Sequence, residues 1–315
     1  MNFFQHSFQC MRTEVGFKLY SNASKVSVSN AMENAANKFF QVSARFTRFS
    51  PDSELSLLNS SAGEKAKVSS ELFSLVSDAI ALAKFSDGRF DPTVIDLLEA
   101  HGYKSSFNPK EIKIRQAKLK DVNSYVRKRP SWKQIELDEQ ENTVKLHKKQ
   151  RLDLGSLGKG YAIDLAAEEL AKISDNFLIS AGGDNYGRGN NISNDAPWSI
   201  ELVSKTSAKA REVGKIGCVN IDSRGQAVAS SGSWARSVGK FHHLIDPTSG
   251  RPAAKNLQTF VIHSSAKWAD ALATVLFVSN PQFIDDLEQK YGAQSIAIDL
   301  NFKLYASDDF PLLNC

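Results

Sequence analysis

The stretch Arg151-Leu-Asp-Leu-Gly-Ser-Leu-Gly-Lys-Gly-Tyr-Ala-Ile-Asp164 decides how the chain reads. Asp153 is followed by three glycines, Gly155, Gly158 and Gly160, with Lys159 between the last two. Apolar residues then fall at Ala162, Leu165, Ala166, Leu170 and Ile173, the spacing of one helix face, so a helix is expected over 158–173. Upstream, Thr143-Val-Lys-Leu-His147 alternates like a strand. The glycines are therefore expected on a strand-to-helix turn. Free amides at a helix start bind anions, glycines admit a ligand closely, and Lys159 adds a positive charge. A tight turn beside a solvated lysine explains the same residues equally well. Two familiar phosphate loops are excluded: Gly160, not Ser or Thr, follows Lys159, and Gly-x-Gly-x-x-Gly is absent.

Outward from that stretch, the bulk numbers describe an ordinary globular chain. Of 315 residues, 42% are hydrophobic and 23% charged. A net charge of +4 suits an anionic substrate but is too small to argue for nucleic acid. Cys10, Cys218 and Cys315 lie far apart with no Cys-x-x-Cys, so neither a zinc site nor a disulfide framework is expected. The N-terminus has no basic region followed by an apolar run, and no apolar stretch is long enough for a membrane span. A cytoplasmic setting is the expectation.

Periodicity places a strand at 11–20 and helices at 25–47 and 69–86. Ser53 is expected to cap a short helix. Arg89-Phe-Asp-Pro-Thr93 carries a helix-start signal in which Asp91 serves as a cap. Residues 108–129, rich in Lys and Arg, read as a solvated helix face. A hairpin over 132–146 delivers the chain to the glycine stretch. Further strands are expected at 177–184, 198–203, 217–221, 227–234, 258–263, 296–298 and 302–305, with a helix at 268–278. With no repeat or linker, residues 1–315 read as one α+β unit, in one or two intertwined lobes.

Individual residues offer chemistry with a bland alternative at each. Asp270 and Thr274, four apart, share a helix face and can reach one hard cation such as magnesium; equally, Asp270 can cap the helix while Thr274 bonds back within it. His242-His243 and Asp246 offer a base near a carboxylate, yet Asp246-Pro247 is also plain turn chemistry. Ser231 and Ser233 flank Gly232 without Gly-x-Ser-x-Gly, which disfavours a hydrolase elbow.

Taken in order, Ser50-Pro-Asp-Ser-Glu-Leu-Ser-Leu-Leu-Asn59, Gly88-Arg-Phe-Asp-Pro-Thr93, the 153–164 stretch, Gly182-Gly-Asp184, Ser231-Gly232, His243-Leu-Ile-Asp-Pro-Thr-Ser-Gly-Arg-Pro252 and Ala269-Asp-Ala-Leu-Ala-Thr274 resemble the FAD:protein FMN transferases, the ApbE-type flavin transferases. The likeness runs from about Met11 to the C-terminal strands. It implies an α+β, T-fold-like architecture of mixed or antiparallel sheets with packed helices. It also implies magnesium-dependent transfer of the FMN half of FAD to a Thr or Ser hydroxyl of an acceptor flavoprotein, with release of AMP. By the same resemblance, Asp270, Thr274 and the Ser156 carbonyl hold the metal. Met11, Phe49, Arg89, Phe90, Asp91, Asp153, Lys159 and Leu244 contact FAD, and His243 and Asp246 stand beside the reacting phosphates.

The chain departs from that pattern in places. Phe49 stands where the family often has Tyr, and Arg12 where a Gly is usual. Ser233-Trp-Ala-Arg236 replaces a polar run with Tyr. Two other functions fit the same residues: an FAD pyrophosphatase giving FMN and AMP, and a non-catalytic FAD carrier. An intact Asp270–Thr274 pair speaks against the carrier, which needs no metal on the pyrophosphate.

Overall fold

The computed structural model describes residues 1–104, 109–118, 122–204, 214–233, 237–239 and 241–315. Its frame is an eight-stranded antiparallel sheet whose strands lie side by side in chain order. They are β1 (Asn2–Cys10), β2 (Thr13–Ser21), β3 (Asn176–Ala181), β4 (Asp184–Arg188), β5 (Gln226–Gly232), β6 (Asn256–His263), β7 (Gln294–Asp299) and β8 (Leu304–Ala306). Helices α1 (Lys25–Phe46), α2 (Glu54–Ser60), α3 (Ser70–Phe85), α4 (Ile95–Ala100), α5 (Pro109–Lys118), α6 (Val122–Lys128) and α7 (Gly155–Ala171) all enter between β2 and β3. Helices α8 (Ala266–Val278) and α9 (Ile284–Tyr291) enter between β6 and β7.

Alternation along each strand splits the core into two layers. Val15, Phe17 and Leu19 of β2, Phe177 and Ile179 of β3, and Ala227 and Ala229 of β5 face the helices. Tyr20, Leu178, Val228, Phe260, Ile262, Ile296 and Ile298 face the other way, under a hairpin of Ser199–Ser204 and Gly214–Asn220. On the helical side α7 lies between α1 and α8, and α8 packs on β5 and β6. Helix α8 is buried nearly all round, as expected of a central helix. Each of its large apolar side chains contributes about 1.5–3 kcal/mol by leaving water.

The contact between α7 and α8 is close because Gly160 has no side chain. A Cβ there would strike the Ala266 carbonyl and come within 2.7 Å of the Lys267 Cα. One turn on, Asp164 accepts hydrogen bonds from Ser265 Oγ (2.6 Å), Ala266 N (2.7 Å) and Lys267 N (3.1 Å). Helix α7 thus supplies a second cap to the start of α8, beside α8's own Ser265, and satisfies donors the helix leaves open.

Most expected elements are present, and the differences have physical causes. The opening strand is the second arm of a hairpin whose turn is Met11-Arg12, both at positive φ (50° and 63°), as a type I′ turn requires. Strand β1 is an edge strand, mostly exposed, with Phe4, Phe8 and Cys10 on the one face that packs on the helical layer. The three glycines do not precede the helix but lie within its first two turns, and none has positive φ. At Gly155 and Gly160 the purpose is space rather than conformation, while Gly158 has nothing within 4 Å of an added Cβ. The 132–146 hairpin gains a third strand, Lys65–Lys67. Ser53 caps α2 as expected. The expectation of no disulfide is overturned: Cys218 and Cys315 are bonded, with Cα atoms 6.1 Å apart across 97 residues of chain. The C-terminal segment folds back, Leu313 pairs with Cys218, and Phe310 and Leu312 pack on the second core layer. A spacing argument cannot see that return.

Gly160→Ala should therefore lose about 1–3 kcal/mol or more through overpacking. Gly158→Ala, two residues away with nothing within 4 Å of its added Cβ, should gain about 0.5–1 kcal/mol. Urea unfolding of the two variants measures both, and equal effects would refute the packing argument.

Candidate active site

A cleft of about 560 Å³ opens where the N-terminal turn of α7, the middle of α8 and the β1–β2 turn converge. That volume lies in the range of small-molecule sites. Twelve of the thirteen site residues expected from the sequence line it: Met11, Phe49, Arg89, Phe90, Asp91, Asp153, Ser156, Lys159, His243, Leu244, Asp270 and Thr274. Asp246 does not. Residues drawn from positions 11 to 274 meet in one place because the sheet runs in chain order and α7 and α8 cross beneath its end.

The innermost group is ionic. Lys159 pairs with Asp184 and lies 3.3 Å from Asp270 Oδ2. Asp184 is only 1% exposed, and its Oδ1 accepts from Ser230 N at 3.1 Å. Asp270, 5% exposed, also accepts from Gly160 N at 3.2 Å. That N–H is the one helix geometry directs at the Ser156 carbonyl, so carboxylate and carbonyl share a donor. Asp270 is not the helix cap; Ser265 is. Thr274 Oγ1 lies 3.2 Å from Ser231 Oγ.

These residues fit a hard cation. Two carboxylates against one ammonium leave a net negative charge, and Asp270, Thr274 and Ser156 bring carboxylate, hydroxyl and carbonyl oxygens together. Among the described residues no group of three His, Cys, Asp or Glu side chains forms a metal cluster. A set using one carboxylate with neutral oxygens needs none.

The outer carboxylates are braced by arginines. Asp153 Oδ2 accepts from Arg48 Nε (2.7 Å) and its Oδ1 from Gly155 N (2.7 Å). Asp91 Oδ1 accepts from Thr93 N (2.9 Å) and its Oδ2 from Arg129 (2.9 Å), so it builds the 90–93 turn rather than capping α4, whose N-cap is Val94. Both carboxylates are thereby screened from an anionic ligand. Phe49 is 42% exposed. Arg48 and Arg12 lie 4.3 and 5.5 Å from its ring centre, within cation–π range, so its faces are shared with two guanidinium groups.

The polar 243–252 loop divides its labour. His243 lines the cleft. His242 turns inward, bonds the Ala253 carbonyl through Nε2 (3.0 Å), and burial pushes its pKa below the ordinary value. Asp246 accepts from Thr248 N, Thr248 Oγ1 and Ser249 Oγ at 2.7–2.9 Å. Burial alone would raise its pKa, but those hydrogen bonds prevail and hold it below the ordinary 3.8. It shapes the loop from outside the cleft. The sequence reading missed Asp184, Arg48 and Arg129. Only Asp184 carried a signal, as an acid directly behind Gly182-Gly183, a turn whose added Cβ at Gly182 would meet Thr13 Oγ1 at 2.6 Å. The Trp234–Arg236 departure lies outside the described residues.

Similar proteins were found by sequence and by structure. The model of the ApbE family matches residues 11–296. The FAD:protein FMN transferase of Haemophilus influenzae is 27% identical over 251 residues, 75% of this chain and 69% of the relative. That of Vibrio cholerae is 28% identical over 287 residues, 87% and 82%. Among solved structures, the ApbE protein of Thermotoga maritima aligns with a TM-score of 0.82 at 25% identity, covering 98% of this chain and 97% of that one. The flavin transferase ApbE of Vibrio cholerae shares the fold at a TM-score of 0.79 and 23% identity, over 99% and 100%.

Two stability predictions follow from the charges. Lys159→Met leaves Asp184 buried without its counter-ion and should lose about 3–5 kcal/mol. Adding Asp184→Asn should restore most of that loss in chemical unfolding, and no restoration would refute the pairing. For Asp246, a depressed folded pKa means its contribution is present above pH 3.8 and disappears as pH falls through the folded value. Wild type should exceed Asp246→Asn by about 1 kcal/mol at pH 7, with the gap closing as pH falls below 3.8 and through the folded value.

Proposed function

The chain belongs to the ApbE family, and we propose that it is an FAD:protein FMN transferase, acting as one unit over residues 1–315. In this reading it moves the FMN half of FAD onto a Thr or Ser hydroxyl of an acceptor flavoprotein and releases AMP. The observation that carries the reading is the meeting of Asp270, Thr274, Ser156 and Lys159 on one wall of the cleft. The family match and relatives bearing that name, covered over most of their length, support it.

The chemistry follows from the charges. Phosphoryl transfer depends on positioning and on neutralising oxygen charge. Asp270, Thr274 and the Ser156 carbonyl would hold magnesium, which when bound supplies Lewis-acid neutralisation of the pyrophosphate. Lys159, held by Asp184, directs its ammonium at the same phosphates. The acceptor oxygen attacks the FMN-side phosphorus, a P–O bond forms, and the anhydride bond to AMP breaks. His243 takes the hydroxyl proton as general base. Asp246 fixes the loop that carries His243.

The Cys218–Cys315 bridge bears on location. Disulfides belong mainly to oxidising compartments, so the bridge supports such a setting over the cytoplasm expected from the N-terminal sequence. Among the described residues no helix is long and apolar enough to cross a membrane.

Incubation with FAD, magnesium and co-expressed candidate flavoproteins should give a covalent FMN phosphoester, read by gel fluorescence and mass spectrometry. Asp270→Ala should abolish AMP release while FAD binding persists. AMP released at a rate no acceptor changes would favour the pyrophosphatase, and unchanged AMP release in Asp270→Ala would sink the metal assignment.

A further inference from the structure

The chain's positive charge is concentrated in one place. Nine of its 39 basic residues but two of its 35 acidic ones fall within 101–130, a net +7 against −3 for the rest of the chain. In the described part of this segment Lys113, Arg115 and Lys128 are exposed, beside Ile114 and Tyr125 at 56% and 44% exposure.

The segment is tied to the cleft wall at both ends. At its start, Arg48 donates to the carbonyls of Lys104 (2.9 Å) and Tyr103 (3.3 Å) while pairing with Asp153. At its end, Arg129 donates to Asp91 Oδ2 (2.9 Å), Thr93 Oγ1 (2.8 Å) and the Pro247 carbonyl (3.3 Å). Between these ties, Ile112 packs in a small cluster with Leu98, Tyr103 and Ile245, which themselves line the cleft. The segment that carries α5 and α6 is therefore anchored at the rim of the cleft through Arg48, Ile112 and Arg129.

We propose that this rim is the docking surface for the acceptor protein, and that the acceptor carries an acidic segment beside its reacting hydroxyl. The proposal rests on the transferase reading above. Two other anionic partners fit less well. Membrane binding needs a broad apolar helix face turned outward, whereas Ile114 is the one exposed large apolar side chain among the described residues of α5 and Ile112 is fully buried. Single-stranded nucleic acid needs several stacking aromatics, and Tyr125 is the one exposed aromatic among the described residues of the segment. Opposite charge on a protein partner would speed encounter and orient it over the cleft.

The test uses a fluorescein-labelled peptide of Asp, Glu, Ser and Thr, and a counterpart with Asn and Gln in place of the acids. Anisotropy should show the acidic peptide binding about tenfold tighter than the neutral one, and about tenfold tighter to wild type than to Lys113→Glu/Arg115→Glu/Lys128→Glu. Both differences should shrink as salt rises. The milder Lys113→Gln/Arg115→Gln/Lys128→Gln variant should fall between, and FAD binding, read by flavin fluorescence, should not change. The proposal is overturned if the two peptides bind alike or if charge reversal leaves peptide binding intact. It is overturned equally if reversal weakens FAD binding, or releases anionic phospholipid vesicles instead of the peptide. AMP release and covalent flavin are measured separately. Their absence with peptide binding intact refutes the transferase reading and not the surface.

Discussion

The structure depends on one close crossing. Gly160 lets α7 touch the backbone at the start of α8, and Asp164 holds that start through three hydrogen bonds. The effect is geometric. With the helices locked there, Asp270 on α8 falls beside Lys159 and Gly160 on α7. A side chain at 160 would push the helices apart and separate groups that must share one charge. Burial raises the pKa of Asp164, which shows the penalty of placing an acid at this junction. The hydrogen bonds it accepts from the α8 end offset that penalty.

Around that crossing the cleft is built from compensated charge. Asp184 is paired by Lys159, Asp153 by Arg48 and Asp91 by Arg129. Buried carboxylates left alone would repel a pyrophosphate and destabilise the fold. Paired, they fix the turns of the cleft wall, which Lys159, Arg12 and Arg89 also line. Two arginines do double duty, because Arg48 and Arg129 also anchor the ends of the basic segment. The arginines that brace the cleft wall thus also fix where the basic segment begins and ends.

Much of this was legible in the sequence, for identifiable reasons. Helices α1, α3 and α8 have one-sided or fully apolar patterns, and Ser53 sits where a cap must. The two core layers were not read from the sequence, because β3, β5 and β6 are buried on both faces and so show no apolar–polar alternation. The residues that line the cleft were legible through the order of short motifs rather than through any one of them. Asp246 shows the limit: the same Asp-Pro-Thr-Ser-Gly motif serves either chemistry or a turn, and only the hydrogen bonds from Thr248 and Ser249 show that it builds the loop. Long-range partners were not legible at all. Nothing local tells Arg129 that it will meet Asp91, or Cys218 that Cys315 will return to it.

The glycines teach the sharper lesson. Read locally, three glycines beside a lysine suggest conformational freedom and an anion turn. None of the three uses positive φ. Gly155 sits where a Cβ would approach Asp153 Oδ1 at 2.9 Å, and Gly160 where one would strike α8. These two are small because something else must be close, whereas Gly158 has open space beside it. A glycine-rich start to a helix can therefore signal a neighbouring helix as readily as a phosphate. Here the neighbour and the proposed phosphate site share the same turn. The close approach that excludes a side chain from one face of α7 is what brings the Asp270 carboxylate to the Lys159 ammonium on the face that lines the cleft.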